Sequence, residues 1–292
     1  MKNDIFDLRR FGKYFASDIR TCSANFGLSL LVTCLTSTLA LYALCVIFNL
    51  LINHSWSGPQ LPLRLTAFLI MFFIIILTGP GKCFGRITEK QYGSFWLTLP
   101  ASKLEKVLSM VLISAVIIPV SSAAIFLGID ALTCWMDHTC GDSVASNFRD
   151  IASQIINFEV YESVDDSISA GLENIIGQLS NPWIYIDDFI GMTLPFLLGA
   201  LVFKKHKTAK TILAMIIFST AISIAATPIM SAYGTNLMET IKIAEGVSVS
   251  GPYFLFDTWI FRNLALLDTI SDSLVNLAFL TGIYFRIKTL KH

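Results

Sequence analysis

Charge is scarce in this chain. Asp, Glu, Lys and Arg make up 14% of its 292 residues, against about 25% in a soluble domain. Apolar residues reach 54%, and mean hydropathy is +0.66. A water-soluble globular domain is excluded, because too little polar surface exists to cover it. Recognisable reaction chemistry is missing too. There is no G-x-x-x-x-G-K-[ST] phosphate loop, no H-E-x-x-H zinc helix and no G-x-S-x-G nucleophile elbow. The four histidines, His54, His138, His206 and His292, have no ligand spacing. No metal, no cofactor in this chain, no catalysis and no nucleic-acid partner are therefore expected. Repeats of fixed period and low-complexity tracts are absent, as is the residue-by-residue alternation of a membrane β-barrel.

What is present is long apolar runs, near the 20 residues a helix needs to cross hydrocarbon. Six stand out: Leu28–Ile52, Leu61–Thr78, Val107–Ile129, Trp183–Phe203, Thr211–Met230 and Leu264–Phe285. Inside lipid every backbone group must pair within its own segment, so continuous runs imply helices. The expected fold is all-α: a polytopic membrane protein of about six transmembrane helices. Formal net charge is zero, yet 17 of the 21 basic residues fall in the first 26 residues, in 82–106, in 204–210 and at 286–291. Arg64, Arg149, Lys242 and Arg262 are the remainder. The positive-inside rule puts both termini in the cytosol; the expected location is the inner (cytoplasmic) membrane. A cleaved signal peptide is not expected: the segment before the first run is too long and mixed for an n-region, and that run is too long for an h-region.

Sidedness sorts the cysteines. Cys22, Cys34, Cys45 and Cys83 fall in spans or on the cytosolic side, where thiols stay reduced. Cys134 and Cys140 fall in the large outer loop, and two readings stand for them, a disulfide or two free thiols.

Three segments between the runs carry helical patterns. Residues 1–26 place Ile5, Leu8, Phe11, Phe15 and Ile19 on one stripe, with Arg9, Arg10, Lys13 and Arg20 elsewhere. This predicts an interfacial amphipathic helix lying against membrane lipids, with packing on a partner protein as the alternative. The loop 131–182 holds eight acidic side chains in 131–181 against Arg149. Its stripes, Val144, Phe148, Ile151, Ile155, Phe158 and then Val164, Ile168, Leu172, Ile175, Leu179, predict an external helical cap. The segment 231–263 is a second outer connection, whose apolar stretch Tyr253–Phe261 is too short to span.

Polar residues inside the runs are candidate sites. Asp268, Asp272 and Asn276 share one helical face. A mid-bilayer carboxylate costs about 2.5–3.5 kcal/mol on insertion scales, so that face should meet protein or water. It reads either as the wall of a translocation path or as interhelical bonding, with the aspartates paired to Arg64 or Arg262. The pair Asp187–Asp188, together with Asp268 and Asp272, is also what an intramembrane hydrolase would need. In the fifth run, Ser219, Ser223 and Thr227 are a close-packing stripe. Pro119 and Pro228 predict kinks.

The most specific local feature follows the second run. Gly79-Pro80-Gly81 should end that helix. The stretch 82–103 then reads as a short helix from about Arg86 to Leu97, a break at Leu99-Pro100, and a Ser102–Glu105 capping box opening the third run. Leu99-Pro-Ala-Ser-Lys-Leu-Glu-Lys106 in this setting resembles the permease subunits of type-2 ATP-binding-cassette (ABC) transporters. The arrangement is most similar to the small six-span permeases of Bacteroidota. Arg9-Arg10-Phe11-Gly12-Lys13 is similar to their interfacial elbow segment. The resemblance implies a permease without its own ATPase, paired as a homo- or heterodimer and driven by a separate cytosolic ATP-binding subunit. The helix between runs two and three would couple the two proteins, with Arg86, Glu89, Tyr92, Phe95 and Trp96 as docking candidates. ATP would bind the partner. The bulky outer loop departs from many such permeases, whose larger outer element sits between the last two spans. The alternatives are a membrane scaffold or sensor with a ligand-binding cap, and an intramembrane enzyme.

Overall fold

The computed structural model describes residues 6–147, 182–245 and 264–289, and every regular element among them is helical. Four helices are long and apolar enough to cross a membrane: Leu8–Asn53, Leu61–Thr88, Lys103–Met136 and Lys207–Ala225.

The first comprises α1 (Leu8–Cys22), a π-helical turn (Ser23–Gly27) and α2 (Leu28–Asn53). Asp7 caps its start by accepting from the Arg9 N–H, and the left-handed backbone of His54 ends it. Forty-six residues are about 69 Å of helix, more than twice the hydrocarbon thickness. The apolar α2 is the part whose length and composition suit the bilayer, and α1 is amphipathic.

The second helix, α3 (Leu61–Phe84), runs straight through Gly79-Pro80-Gly81, where a break was expected. Pro80 removes one ladder bond. Packing compensates: a Cβ on Gly79 would sit 3.2 Å from Ile118 Cγ2 and 3.5 Å from the Phe26 ring, so its bare Cα lets neighbouring helices close in. A 3₁₀ turn (Gly85–Thr88) and α4 (Lys90–Thr98) follow.

The Ser102–Glu105 capping box then opens α5 (Lys103–Leu112). Between α5 and α6 (Ile118–Met136) lies a second π turn, Ile113–Ile117, where the Ile118 N–H reaches back five residues to the Ile113 carbonyl. Pro119, next in line, has no N–H to give, so the expected kink takes the form of a π turn. A 3₁₀ turn, His138–Cys140, follows. Val144, the first residue of the expected cap stripes, is 1% exposed. The rest of those stripes, and Tyr253–Phe261, lie outside the described residues.

The remaining helices are α7 (Pro182–Val202), α8 (Lys207–Glu245) and α9 (Leu264–Thr289). The outer connection expected from Ser231 instead begins as helix. Pro228 does not end α8, and 231–245 offers good helix formers with no further proline. The Ser219–Ser223–Thr227 stripe is exposed, so no described helix of this chain packs on it.

α7 is central, packing against α9, α3 and α8. The core gathers where α3 ends and α5 begins, around Phe84, Met110, Leu197, Leu201, Ile283 and Ile287. By contrast, α2 and α8 expose rows of large apolar side chains, Leu31 to Leu51 and Ile212 to Ile224. Lipid or another apolar surface must cover them.

Candidate functional site

The end of the molecule that carries α4 is tied together by charged groups. Glu105 is fully buried. It accepts from Arg10 Nε at 3.0 Å and Nη2 at 2.8 Å, and from the Asp7 and Ser102 N–H groups, each at 2.8 Å. A buried charge with this many donors is compensated. Its neighbour Lys106 donates to the Trp96 and Leu97 carbonyls at 2.8 and 3.3 Å, and its ammonium lies 4.6 Å from the Trp96 ring centre. Those carbonyls lie in the last turn of α4, where the Trp96 carbonyl also accepts from the Leu99 N–H at 3.4 Å. Lys207, opening α8, donates to the Gly85 carbonyl and to Thr88 Oγ1.

The α1 helix joins this network through Arg10 and through Asp18, whose Oδ2 accepts from Ser109 Oγ at 2.6 Å. Burial pushes the Asp18 carboxyl up from 3.8 to about 6, against the Ser109 bond. Burial and the Asp18 charge together raise the Tyr14 hydroxyl above its ordinary value. The α1 helix is thus packed on α5 of its own chain, with Phe15 and Ile19 against the core.

The docking candidates separate on this frame. Arg86, Glu89 and Phe95 are exposed, Phe95 at 63%. Tyr92 is half-buried beneath Arg86, whose guanidinium lies 5.6 Å from its ring. Trp96, expected on the docking surface, is instead a core residue at 2% exposure. In a nine-residue helix, Tyr92 and Trp96 are four apart and share the inward face, which leaves Phe95 on the outward one.

The cysteines also fall out differently. Cys22 and Cys83, expected as thiols, form a disulfide between the π turn after α1 and the last turn of α3. Cys134 and Cys140 are separate buried thiols. The Arg64 guanidinium, which donates to the Cys134 sulfur and to the Cys140 carbonyl, engages that pair.

Arg64 organises the opposite end of the helices. It pairs with Asp130 at 2.9 Å, and both side chains are buried. It also donates to the Asp142 carbonyl, while Asp130 accepts from the Val144 N–H at 2.7 Å. Among the described residues the carboxylate partner of Arg64 is Asp130 and not Asp272; Arg262 and the Asp268 side chain lie outside the described residues. Nearby, Asp137 accepts from Tyr42, Trp56 and Thr139. The Tyr42 hydroxyl, then Thr139 and Trp56, hold its carboxyl below the usual range despite burial.

Between these ends, a cavity of about 640 Å³ opens among α3, α7, α8 and α9. Its wall is apolar (Phe73, Leu77, Met192, Phe196 among others) except for Asp187, Asp188, Asp272 and Asn276. Asn276 is 5% exposed and donates to the Asp187 carbonyl at 2.9 Å and to Asp187 Oδ1 at 2.8 Å. Ser273 Oγ donates to Asp187 Oδ2 at 2.7 Å. Gly191 makes room: a Cβ there would lie 3.0 Å from Asn276 Oδ1. A second cavity of about 520 Å³ shares Pro195, Met215, Val275 and Phe279 with the first and continues to Gly199 and Thr211. Asp272 and Asn276, expected to line a path, thus share one wall with the Asp187–Asp188 pair. Asp268 lies on α9, with its side chain outside the described residues. Among the described residues no group of three or more His, Cys, Asp or Glu is arranged to hold a metal.

Comparison with protein-family models, with curated proteins and with solved structures returns no match for this chain.

Proposed function

We propose that this chain is the permease subunit of an ATP-driven transporter of the ABC type. In this reading it spans the cytoplasmic membrane six times, with α7 and α9 as the spans added to the four long apolar helices. The α4 end faces the cytosol, because the basic segments cluster there. The observation that carries the reading is the mounting of α4. A nine-residue helix with exposed Phe95, Arg86 and Glu89 is held from behind by Lys106, Trp96 and the core, and one element further on Glu105 grips α1. A push on the outer face of α4 is carried into α5 and α1 together. Such a part suits a lever worked by a separate cytosolic ATPase.

The two adjacent cavities would be the path, and their wall between α7, α8 and α9 is where spans must part to admit substrate. The exposed Ser219–Ser223–Thr227 stripe and the apolar rows of α8 suit close approach by a second permease copy. Transport requires no catalysis by this chain, and ATP is bound by the partner.

The test is co-purification with the ATP-binding subunit from the native membrane. Changing Phe95 to Asp and Arg86 to Glu should abolish it while leaving the amount of folded permease unchanged. If the paired subunit stays bound, or none is ever recovered, the coupling assignment fails.

A further inference from the structure

The Cys22–Cys83 bond sits in an unexpected place. It lies at the α4 end, among the basic segments, and joins the junction of α1 and α2 to the last turn of α3. The surroundings are close-packed. Cys22 and Cys83 are 7% and 5% exposed, and Phe26, Phe84 and Ile118 belong to the same core cluster. One turn before Cys83, Gly79 lies against Ile118 and the Phe26 ring. The neighbouring Lys82 donates to Ser29 Oγ at 2.9 Å, a second link between α3 and the start of α2. Without the disulfide, α1 would be held chiefly through Arg10–Glu105 and Asp18–Ser109, both of which lead to α5. The bond therefore ties α1 to a different helix from the one its polar contacts use. Closed, it couples α1, α3 and α5 as one body. Open, the α1–α2 junction is held to the end of α3 only by non-covalent contacts, Lys82–Ser29, Arg86–Asn25 and the Phe26 ring on Gly79.

A disulfide in the cytosol of an ordinary cell is transient or redox-sensing, because the thiol pool reduces it. We propose that Cys22 and Cys83 are a reversible thiol-oxidation site that locks the α1–α2 junction to α3 when the cytosol becomes oxidising. This rests on the sidedness given under the proposed function. The oxidant is a small-molecule disulfide of the glutathione type. When the α1–α2 junction opens locally from α3, one exposed cysteine thiolate attacks it, forming a mixed disulfide and expelling one thiol. The second cysteine thiolate then displaces the other thiol. Two protein thiols are oxidised to one disulfide, and one small disulfide is reduced to two thiols. Excess reduced thiol runs the exchange backwards.

The experiment uses the full chain in its own membrane. Thiols are trapped by acid and alkylation before and after treatment with glutathione disulfide, then after reductant, and the Cys22–Cys83 linked peptide is followed by mass spectrometry. Trypsin cleavage at Lys13 and Arg20 reads the freedom of α1. The expected result is free thiols in untreated cells, the linked peptide after oxidant, and its loss after reductant. Cleavage of the oxidised chain should be several-fold slower, and Cys22→Ser and Cys83→Ser should cleave at the fast rate throughout. Failure to form the linked peptide overturns the proposal, as does cleavage indifferent to it. A bond already complete in untreated cells and untouched by reductant also overturns it. In that case a fluorescent-protein fusion at the C-terminus reads sidedness separately. Fluorescence in the cytosol leaves the transporter reading standing and sinks only the switch.

Discussion

The two halves of the chain place their bonded polar groups differently. In the first half, α1 to α6, they bond to each other at both ends of the helices: Glu105 with Arg10, Lys106 with the end of α4, Arg64 with Asp130. In the second, α7 to α9, Asp187, Asp188, Asp272 and Asn276 meet along the wall of a cavity. A polar group inside a membrane protein costs free energy unless it is paired or serves a wet path. The first half uses pairing and becomes a braced frame. The second bonds Asp187 to Asn276 and Ser273 and sets Asp188 and Asp272 beside them on a cavity wall.

The sharpest way to break this contrast is at Arg64–Asp130. Asp130→Ala strands a buried guanidinium and the Val144 N–H, and should cost about 3–5 kcal/mol, seen as a large fall in apparent Tm in detergent. Replacing both partners with Leu should cost much less, because no lone charge is left behind. Next comes Asp18, whose carboxyl is raised from 3.8 to about 6 by burial. Between those values the folded state holds a proton that the unfolded state has lost, so stability falls as pH rises through that window and is level above it. Asp18→Asn should flatten this slope and raise stability at neutral pH, measured by thermal unfolding from pH 4 to 8. The smallest effect on stability belongs to the cavity. Asp188→Asn should change stability by less than about 0.5 kcal/mol, as for a change away from packed contacts, while lowering transport-coupled ATP turnover of the complex. If Asp188→Asn destabilises as much as Asp130→Ala, the second half is a braced frame too and the path assignment is lost.

Helix existence was readable wherever a local rule applied. The Ser102–Glu105 box lies at its expected place, and Pro119 disturbs its helix. Asp272 and Asn276 were legible as polar residues in an apolar run. Local rules misled where packing overrode them. Gly79-Pro80-Gly81 looks like a break, but neighbours on Phe26 and Ile118 hold it helical. Trp96 looks like a docking residue because aromatic exposure depends on which face of α4 meets the core. Arg64 had many conceivable acidic partners, and its commitment to Asp130 follows from how α3 crosses α6.

The sequence by itself determined that the chain is helical and membrane-borne, where the apolar runs fall and how α5 is capped. These properties depend on residues within a turn or two of one another. Only the tertiary structure decided that Cys22 meets Cys83, that Glu105 meets Arg10, and that the Asp187–Asp188 pair shares a cavity with Asp272 and Asn276. Those partners lie tens of residues apart, and hydropathy within each run is indifferent to which neighbour its polar residues will face. The crossing of helices, set by small residues such as Gly79 and Gly191 and by the shapes packed around them, chooses the pairs.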